Sequence, residues 1–340
     1  MTQRGSYSSM VTIKQVAVHA GVSFKTVSRV VNNDPTVKKI NREKVLKAIK
    51  ELDYRPNRAA SLTRRKKSNI YAIIADELLS VPYTFDIIRG AQEIAWQKNK
   101  ELLILNVNET QASIDRAIES LLEYRVEGVI YSAMYHRQVV IPDELKKIPT
   151  ILANCFPASN NFPCVVPDEQ QAGEDITDAL IRKGYRRIAF LNLNEHIIAA
   201  KGRKQGVINS FKKHGLPLDD LLIESVIFCQ ADGSDISTSR ESAARVIDEF
   251  KPDAIICGQD PMALEIYFVV HDKGMVVGKD IGIASFDDWG SIPELLQPNL
   301  TTMALPHHAM GRWAMEYLIE QRTDIVHHHL PFKLIARNSF

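Results

Sequence analysis

The sequence predicts a small all-α headpiece followed by an α/β body of two doubly wound parallel-sheet lobes. In the first part of the chain, apolar residues recur with the spacing of short helices. From Ile70 onward, short apolar runs alternate with amphipathic helical stretches, which is typical of parallel sheets covered by helices on both faces. The body has about 270 residues. This is more than a single hydrophobic core usually contains, so two lobes are expected.

The first predicted helix has apolar residues at i, i+3, i+4 and i+7, namely Ile13, Val16, Ala17 and Ala20. Thr12 is expected to cap this helix, and Gln15 completes a capping box. Gly21 supplies the left-handed residue that ends it.

A second helix is predicted directly after that glycine, with Ser23 as its N-cap. Its buried face carries the valines Val27, Val30 and Val31. Its opposite face carries Phe24, Lys25, Ser28 and Arg29. Two helices around a glycine turn, with side chains displayed near the second N-terminus, have the geometry of a helix-turn-helix.

A third helix is predicted from the same apolar spacing, at Val45, Ala48, Ile49 and Leu52. Asn41 is its expected cap, and Pro56 stops the run. The three apolar faces would form one small core. From the pattern alone, an unrelated helical hairpin remains an alternative.

Charge is divided unevenly along the chain. Residues 1–67 contain 16 Lys and Arg against 4 acidic residues, a net charge of +12, whereas the whole chain carries +1. The remainder therefore carries −11. A basic headpiece on an acidic body is the distribution expected of a protein that binds DNA phosphates.

In the body, short apolar runs predict strands at residues 70–75, 102–106, 129–133, 150–154, 187–192, 254–257 and 281–286. No run of 18 apolar residues is present and the first ten residues lack a signal-peptide core, so a cytoplasmic protein without a membrane span is expected. The four cysteines lack metal or redox spacing, and the adjacent histidines at 327–329 point to opposite faces of an extended segment. No metal or cofactor is therefore predicted, and no catalytic constellation stands out.

Motifs along the whole sequence resemble those of a known protein family. The headpiece contains TIKQVA, HAGVS, TVSRVVNN and NREKVLKAIKELDYRPN. The body contains, in the family's order, IIRGAQEIA, VEGVIYSA, RKGYRRIAFL, CGQDPMALE, IASFDD, LTTMALP and KLIARNSF. From residue 11 onward the chain is similar to the lactose-repressor/galactose-repressor (LacI/GalR) family of bacterial transcription regulators.

The resemblance implies a helix-turn-helix domain at 10–57, a hinge helix and linker at 58–68, and an effector-binding and dimerisation body at 69–340. Lobe one would comprise residues 69–166 and 303–328, and lobe two residues 167–302 and 329–340. A homodimer would bind a palindromic operator, with a small molecule between the lobes near the strand C-terminal ends. No leucine heptads follow KLIARNSF, so the tetramer-forming tail of some relatives is not expected.

By the same resemblance, the start of the second helix enters the major groove. Arg29 can fork onto guanine, Lys25 can donate to guanine or phosphate, and Phe24 can pack on a thymine methyl. A buried core position is the alternative for Phe24. Caps or phosphate contacts suit the polar side chains Thr12, Ser23, Thr26, Ser28 and Asn32.

The family's hinge helix, which wedges a leucine into the minor groove, is matched by PNRAASL, with Asn57, Arg58 and Leu62 as its DNA contacts. One residue fewer than usual separates Asn57 from Leu62. One residue turns a helix by about 100°, so the direction of Leu62 is changed. A flexible basic linker is the alternative.

The resemblance also identifies ligand-binding candidates. Arg203 fits the family's arginine, whose fork can donate to two ligand oxygens, and Asp287 fits its acid that accepts from sugar hydroxyls. An ion pair is the alternative role for both. Further candidates are Gln259, Asn154, Ser132, Tyr83 and Trp289, and core packing is the alternative for the tryptophan.

The predicted function is a ligand-responsive transcriptional repressor of a sugar-utilisation operon, with a mono- or disaccharide as effector. A DNA-tethered sugar-processing enzyme is the first alternative. It needs an acid–base pair, and only the adjacent Asp287 and Asp288, which face apart at a strand end, come near one. A purine-responsive regulator is the second alternative, because the family includes both kinds of effector.

Overall fold

The computed structural model describes residues 11–31, 34–54, 68–76, 83–108, 110–159, 161–229 and 235–340. The chain forms two compact units, Met1–Ser68 and Asn69–Phe340. The first is the all-α headpiece and the second is the α/β body, so the predicted fold class is confirmed.

The headpiece consists of the helices α1 (Ile13–Ala20), α2 (Phe24–Val31) and α3 (Lys39–Glu51). Their apolar faces meet in one core in which Val16, Val27 and Val45 are fully buried. The capping box is present, since Thr12 N donates to Gln15 Oε1 at 2.7 Å and Gln15 N donates to Thr12 Oγ1 at 3.4 Å. Gly21 ends α1 in the left-handed region at φ 61°.

The predicted cap of the third helix is wrong. Helix α3 begins directly after Lys38, which makes no side-chain capping bond. Asn41 therefore lies inside the first turn. Lys38 is the N-cap residue, and Lys39 and Ile40 are already helical. Asn41 therefore cannot occupy the N-cap position.

In chain order, the body contains β1 (Ile70–Asp76), α4 (Tyr83–Gln97), β2 (Glu101–Val107), α5 (Gln111–Tyr124), β3 (Val129–Val139), β4 (Thr150–Pro157), β5 (Cys164–Pro167), α6 (Glu169–Arg182), β6 (Ile188–Asn192), α7 (Ile198–Lys213), β7 (Leu221–Ser225), β8 (Ile227–Cys229), β9 (Asp235–Ser237), α8 (Ser239–Glu249), β10 (Ala254–Cys257), α9 (Asp260–Asp272), β11 (Gly282–Asp287), α10 (Ile292–Leu295), β12 (Thr301–Ala304), α11 (His307–Ile319), β13 (His327–Leu330) and β14 (Lys333–Ile335). The strands form two six-stranded sheets and one short antiparallel hairpin, β8–β9.

The sheet of lobe one has the strand order β13-β5-β4-β3-β1-β2, and all of its pairings are parallel. The sheet of lobe two has the order β14-β12-β11-β10-β6-β7, and only β14 runs antiparallel. Apolar clusters cover both faces of each sheet. The central strands are accordingly continuous apolar runs rather than alternating ones.

The chain passes between the lobes three times, at Asp168, at residues 305–306 and at residues 331–332. The predicted lobe borders at 166/167, 302/303 and 328/329 each fall inside a strand. The pairing of strands β5, β12 and β13 continues one or two residues beyond these borders. Residue 168 also caps α6, because its carboxylate accepts from the Gln171 backbone N–H at 3.0 Å.

One pair of helices in each lobe packs backbone against backbone through glycines. In lobe one, a Cβ added to Gly311 of α11 would lie 1.9 Å from the Ile87 carbonyl oxygen of α4. In lobe two, a Cβ added to Gly206 of α7 would lie 2.0 Å from the Gln170 carbonyl oxygen of α6. Only glycine permits such an approach.

Candidate functional site

Helix α2 presents its predicted DNA-contacting face to solvent. Phe24 is 43% exposed, so the alternative of a core position is wrong for it. Lys25 and Arg29 are also exposed, whereas Val27 and Val30 are buried against the other two helices. An aromatic ring and two cations on one exposed helical face can contact base edges and phosphates.

The hydroxyl side chains of this region hold the backbone. Ser23 Oγ accepts from the Thr26 backbone N–H at 3.2 Å and lies 2.9 Å from Thr26 Oγ1, as expected of an N-cap. Ser28 is half-buried. The remaining predicted DNA contacts lie outside the described residues: Asn32, Asn57, Arg58 and Leu62.

Arg29 is held by a neighbouring acid that the sequence did not identify. Its Nε donates to Asp34 Oδ2 at 2.8 Å, and its Nη2 donates to the Thr36 hydroxyl. The other carboxylate oxygen of Asp34 accepts from the Thr36 backbone N–H at 2.9 Å and hydroxyl at 2.6 Å. Thr36 first and Arg29 next hold the pKa of Asp34 far below its usual range.

In the body, Arg203 is buried at the edge of lobe two where the parallel strands end. Its side chain is 3% exposed. Nε donates to Glu169 Oε2 at 2.8 Å, Nη1 to the Gly258 carbonyl oxygen at 2.6 Å and Nη2 to Asp287 Oδ1 at 3.4 Å. The guanidinium also lies 4.3 Å from the Phe286 ring centroid. Arg203 and Asp287 therefore form an ion pair within one lobe.

Glu169, in the first turn of α6, is the central acid that sequence reasoning missed. It is 5% exposed, and its Oε1 lies 3.8 Å from His136 Nδ1 of lobe one. Burial raises the pKa of Glu169, but the Arg203 charge and His136 outweigh it, so the pKa lies below its usual range. Glu169 therefore joins an arginine of lobe two to a histidine of lobe one.

A tight turn after β11 positions a second group of acids. Asp287 and Asp288 adopt positive φ angles of 109° and 53°. Asp288 accepts from Arg337 Nη2 at 2.8 Å, and the Trp289 backbone N–H donates to Asp260 Oδ2 at 2.7 Å. Asp260, at the start of α9, also accepts from the Thr302 hydroxyl at 2.8 Å.

This turn borders a cavity of about 280 Å³ between the two lobes, lined by Phe85, Asp86, Asp287, Asp288, Trp289, Gly290, Leu305 and His307. Lobe one contributes the starts of α4 and α11. The cavity thus combines acidic oxygens with aromatic surface. A larger cavity, about 650 Å³, lies beyond the ends of β6 and β7 within lobe two.

Two predicted ligand contacts are buried away from the cavities described above. Asn154 is 2% exposed, and its amide donates to the carbonyl oxygens of Ala133 at 3.1 Å and Met134 at 3.0 Å, which braces the irregular part of β3. Ser132 is fully buried. Neither residue lines either of the cavities of about 280 Å³ and about 650 Å³.

The other two candidates lie at helix starts. Gln259 is the N-cap residue of α9 and is half-buried. Tyr83 begins α4, and its side chain lies outside the described atoms. Of the seven predicted ligand residues, the structure thus brings Asp287 and Trp289 into the interlobe cavity and places Arg203 directly behind Asp287.

Within the described ranges, every helix is too short or too polar to cross a bilayer. The same residues contain no cluster of three or more His, Cys, Asp or Glu side chains arranged to hold a metal ion.

Two family models match the chain. Residues 12–57 match the bacterial regulatory proteins of the lacI family, and residues 67–338 match the periplasmic binding proteins and sugar binding domain of the LacI family. The chain is 32% identical to the sucrose operon repressor of Escherichia coli over 97% of its own length and 100% of that protein. It is 31% identical to catabolite control protein A of Priestia megaterium, over 97% and 99%.

Among solved structures, the fold is similar to that of the lac repressor dimer bound to operator and the anti-inducer ONPF. The TM-score is 0.75, with 97% of this chain and 99% of the other covered at 23% identity.

Asp260 gives a testable pH dependence. Burial first, and then the Asp287 charge, raise the pKa of Asp260 from 3.8 to about 7. Between these values the folded state keeps a proton that the unfolded state releases, so this group's contribution to stability is lost as pH rises. We expect the unfolding free energy of Asp260→Asn, relative to the unmodified protein, to increase from about pH 5 to about pH 8.

Urea denaturation at several pH values measures this difference. Asp219→Asn is the control, because it removes an exposed carboxylate of the same lobe, and its difference should stay constant. A pH-independent difference for Asp260→Asn would mean that Asp260 ionises normally in the folded protein.

Proposed function

The chain belongs to the LacI family of bacterial regulatory proteins, and we propose that it represses a sugar-utilisation operon and is switched by a sugar bound between its lobes. The observation that carries this proposal is the interlobe cavity, in which carboxylates and aromatic rings of both lobes converge. Its curated relatives are transcriptional repressors and regulators, and the chain is a regulator and not an enzyme. Since its DNA target lies in the bacterial cytoplasm, we infer that compartment.

For operator recognition, α2 is the helix that enters the major groove. Arg29 donates to a guanine, Lys25 to guanine or phosphate, and Phe24 packs on a thymine methyl. The exposure of all three side chains on one face supports these roles. The +12 charge of residues 1–67 supplies the salt-dependent attraction to phosphates.

For the effector, the charge and shape of the cavity favour a neutral mono- or disaccharide. Asp287 accepts from sugar hydroxyls, and the rings of Trp289 and Phe85 provide flat apolar surface for a sugar face. Arg203 is already neutralised by Glu169 and Asp287, so it holds Asp287 in place rather than offering an unpaired cation. A purine fits this hydroxyl-matching set of acceptors less well.

The proposed assembly is a homodimer. The lac repressor structure with the same fold is a dimer on its operator. In this chain, large apolar side chains of the body are exposed, among them Trp96, Phe268 and Val276. Contact between two copies would remove such surface from water.

The first test concerns the DNA-contacting residues. On an operator recovered by selection from random duplexes, Arg29→Ala should weaken binding by about 1–3 kcal/mol while barely changing binding to unrelated DNA. Fluorescence anisotropy with both duplexes measures this. Lys47→Ala, which removes one exposed headpiece cation, is the control and should change binding to the operator and to unrelated DNA by the same factor. Equal weakening on both duplexes by Arg29→Ala would reduce Arg29 to a phosphate contact.

The second test concerns assembly. Sedimentation equilibrium at micromolar concentration should give the mass of two chains, and the operator should be an approximate palindrome of about 14–20 base pairs. A stable tetramer, or a monomer that binds an asymmetric site, would contradict the proposal.

The third test concerns the effector. A thermal-shift screen of sugars and nucleobases should identify a neutral sugar, because a ligand at 100 times its dissociation constant adds about 2.7 kcal/mol of stability. Asp287→Ala should then abolish operator release by that sugar and leave unliganded DNA binding intact. Asp272→Ala is the control on an exposed acid.

Stabilisation by hypoxanthine or guanine and by no sugar would overturn the effector assignment. Loss of folding and of operator binding together in Asp287→Ala would show that Asp287 maintains the structure of lobe two.

A further inference from the structure

Asp34 is the one acidic side chain described in contact with Arg29, and it lies in the headpiece, whose charge is otherwise strongly basic. Its carboxylate uses both oxygens, one toward Arg29 Nε and one toward Thr36. Thr36 closes the ring of contacts, because its hydroxyl also meets Arg29 Nη2. The three residues therefore form a closed network, which we call the Arg29 clamp.

The backbone around the clamp is also fixed. The Asp34 backbone N–H donates to the Arg29 carbonyl oxygen at 2.9 Å. The Asp34 carbonyl oxygen accepts from Arg42 Nη2 of α3. The backbone of Asp34 is thus hydrogen-bonded to both α2 and α3. Its carboxylate therefore cannot move freely with Arg29 if the arginine rotates.

The clamp engages one edge of the guanidinium. A guanidinium has five N–H donors, and the clamp contacts use Nε and Nη2. The end-on fork formed by Nη1 and Nη2 keeps N–H donors for a bidentate contact to guanine O6 and N7. Side-on fixation by Asp34 and Thr36 would hold this fork in one orientation before DNA arrives, which lowers the side-chain entropy lost on binding.

We propose that Asp34, with Thr36, is a positioning residue for DNA recognition: it orients Arg29 for its base and so increases sequence specificity, although its charge repels DNA. This inference rests on the proposed base contact of Arg29. Removal of the Asp34 carboxylate should have two effects on DNA affinity, and these effects have opposite signs. Removal of a negative charge near phosphates raises affinity for all DNA. Loss of orientation lowers affinity only for DNA with the base that Arg29 contacts.

The experiment is selection of randomised duplexes by the full-length protein and its variants, followed by sequencing. The base pair assigned to Arg29 is the one whose preference Arg29→Ala loses. We expect Asp34→Asn to weaken that same preference by about fivefold, the size of a well-formed exposed ion pair, while leaving preferences at other positions unchanged. Thr36→Val, which removes only the hydroxyl, should produce a smaller loss at the same base pair.

Glu51→Gln is the matched control. It also removes one headpiece carboxylate and one ion pair, but its partners are His19 and Lys47. It should change no base preference. In the double variant Arg29→Ala/Asp34→Asn, the preference at the assigned base pair should equal that of Arg29→Ala alone, because Asp34 acts through Arg29.

Three results would overturn the inference. In the first, Asp34→Asn tightens binding to the operator and to unrelated DNA equally, which would reduce Asp34 to a charge that repels phosphates. In the second, Asp34→Asn and Thr36→Val weaken every preference alike together with a lower unfolding temperature, which would indicate a role in folding only. In the third, Arg29→Ala loses no base preference, which would remove the proposed base contact as well.

Discussion

The buried guanidinium of Arg203 is the constraint on which the arrangement of the body depends. A charge that is 3% exposed is tolerated only when other charges and hydrogen bonds replace its water. Its partners come from three separate segments: Glu169 follows the first passage between lobes, Gly258 follows β10 and Asp287 ends β11. The need to neutralise one arginine thus fixes the strand ends of lobe two and the start of α6 relative to each other.

This cluster also connects the cavity to the contact between lobes. Asp287 lines the cavity and pairs with Arg203, and Glu169 on the other side of the arginine lies 3.8 Å from His136 of lobe one. Asp287, Arg203 and Glu169 thus form one chain of charged contacts, which runs from the lining of the cavity to within 3.8 Å of His136 of lobe one.

The fold was predictable from the sequence because its signals are local. The caps of α1 and α2, the glycine after α1 and continuous apolar strands depend on neighbours within a few positions, and the structure confirms them. The site was less predictable. Glu169 has the sequence context of an ordinary first-turn acid, and only the passage between lobes brings it to Arg203. Asn154 was assigned to ligand by resemblance, whereas the irregular part of β3 occupies its amide donors. Asp34 lies five residues beyond Arg29, outside the i+3 and i+4 spacing at which side chains of one helix meet.

The glycine contact between α4 and α11 has a consequence for the order of folding. Lobe one obtains α11 and β13 only after all the strands of lobe two except β14. During synthesis, the α4 surface around Gly90 therefore stays uncovered until α11, more than two hundred residues later in the chain, has been made. Lobe two, with α6 and α7 close in sequence, can assemble its helix pair early. The N-terminal lobe therefore gains its last helix late, and α4 remains an exposed surface of the nascent chain until then.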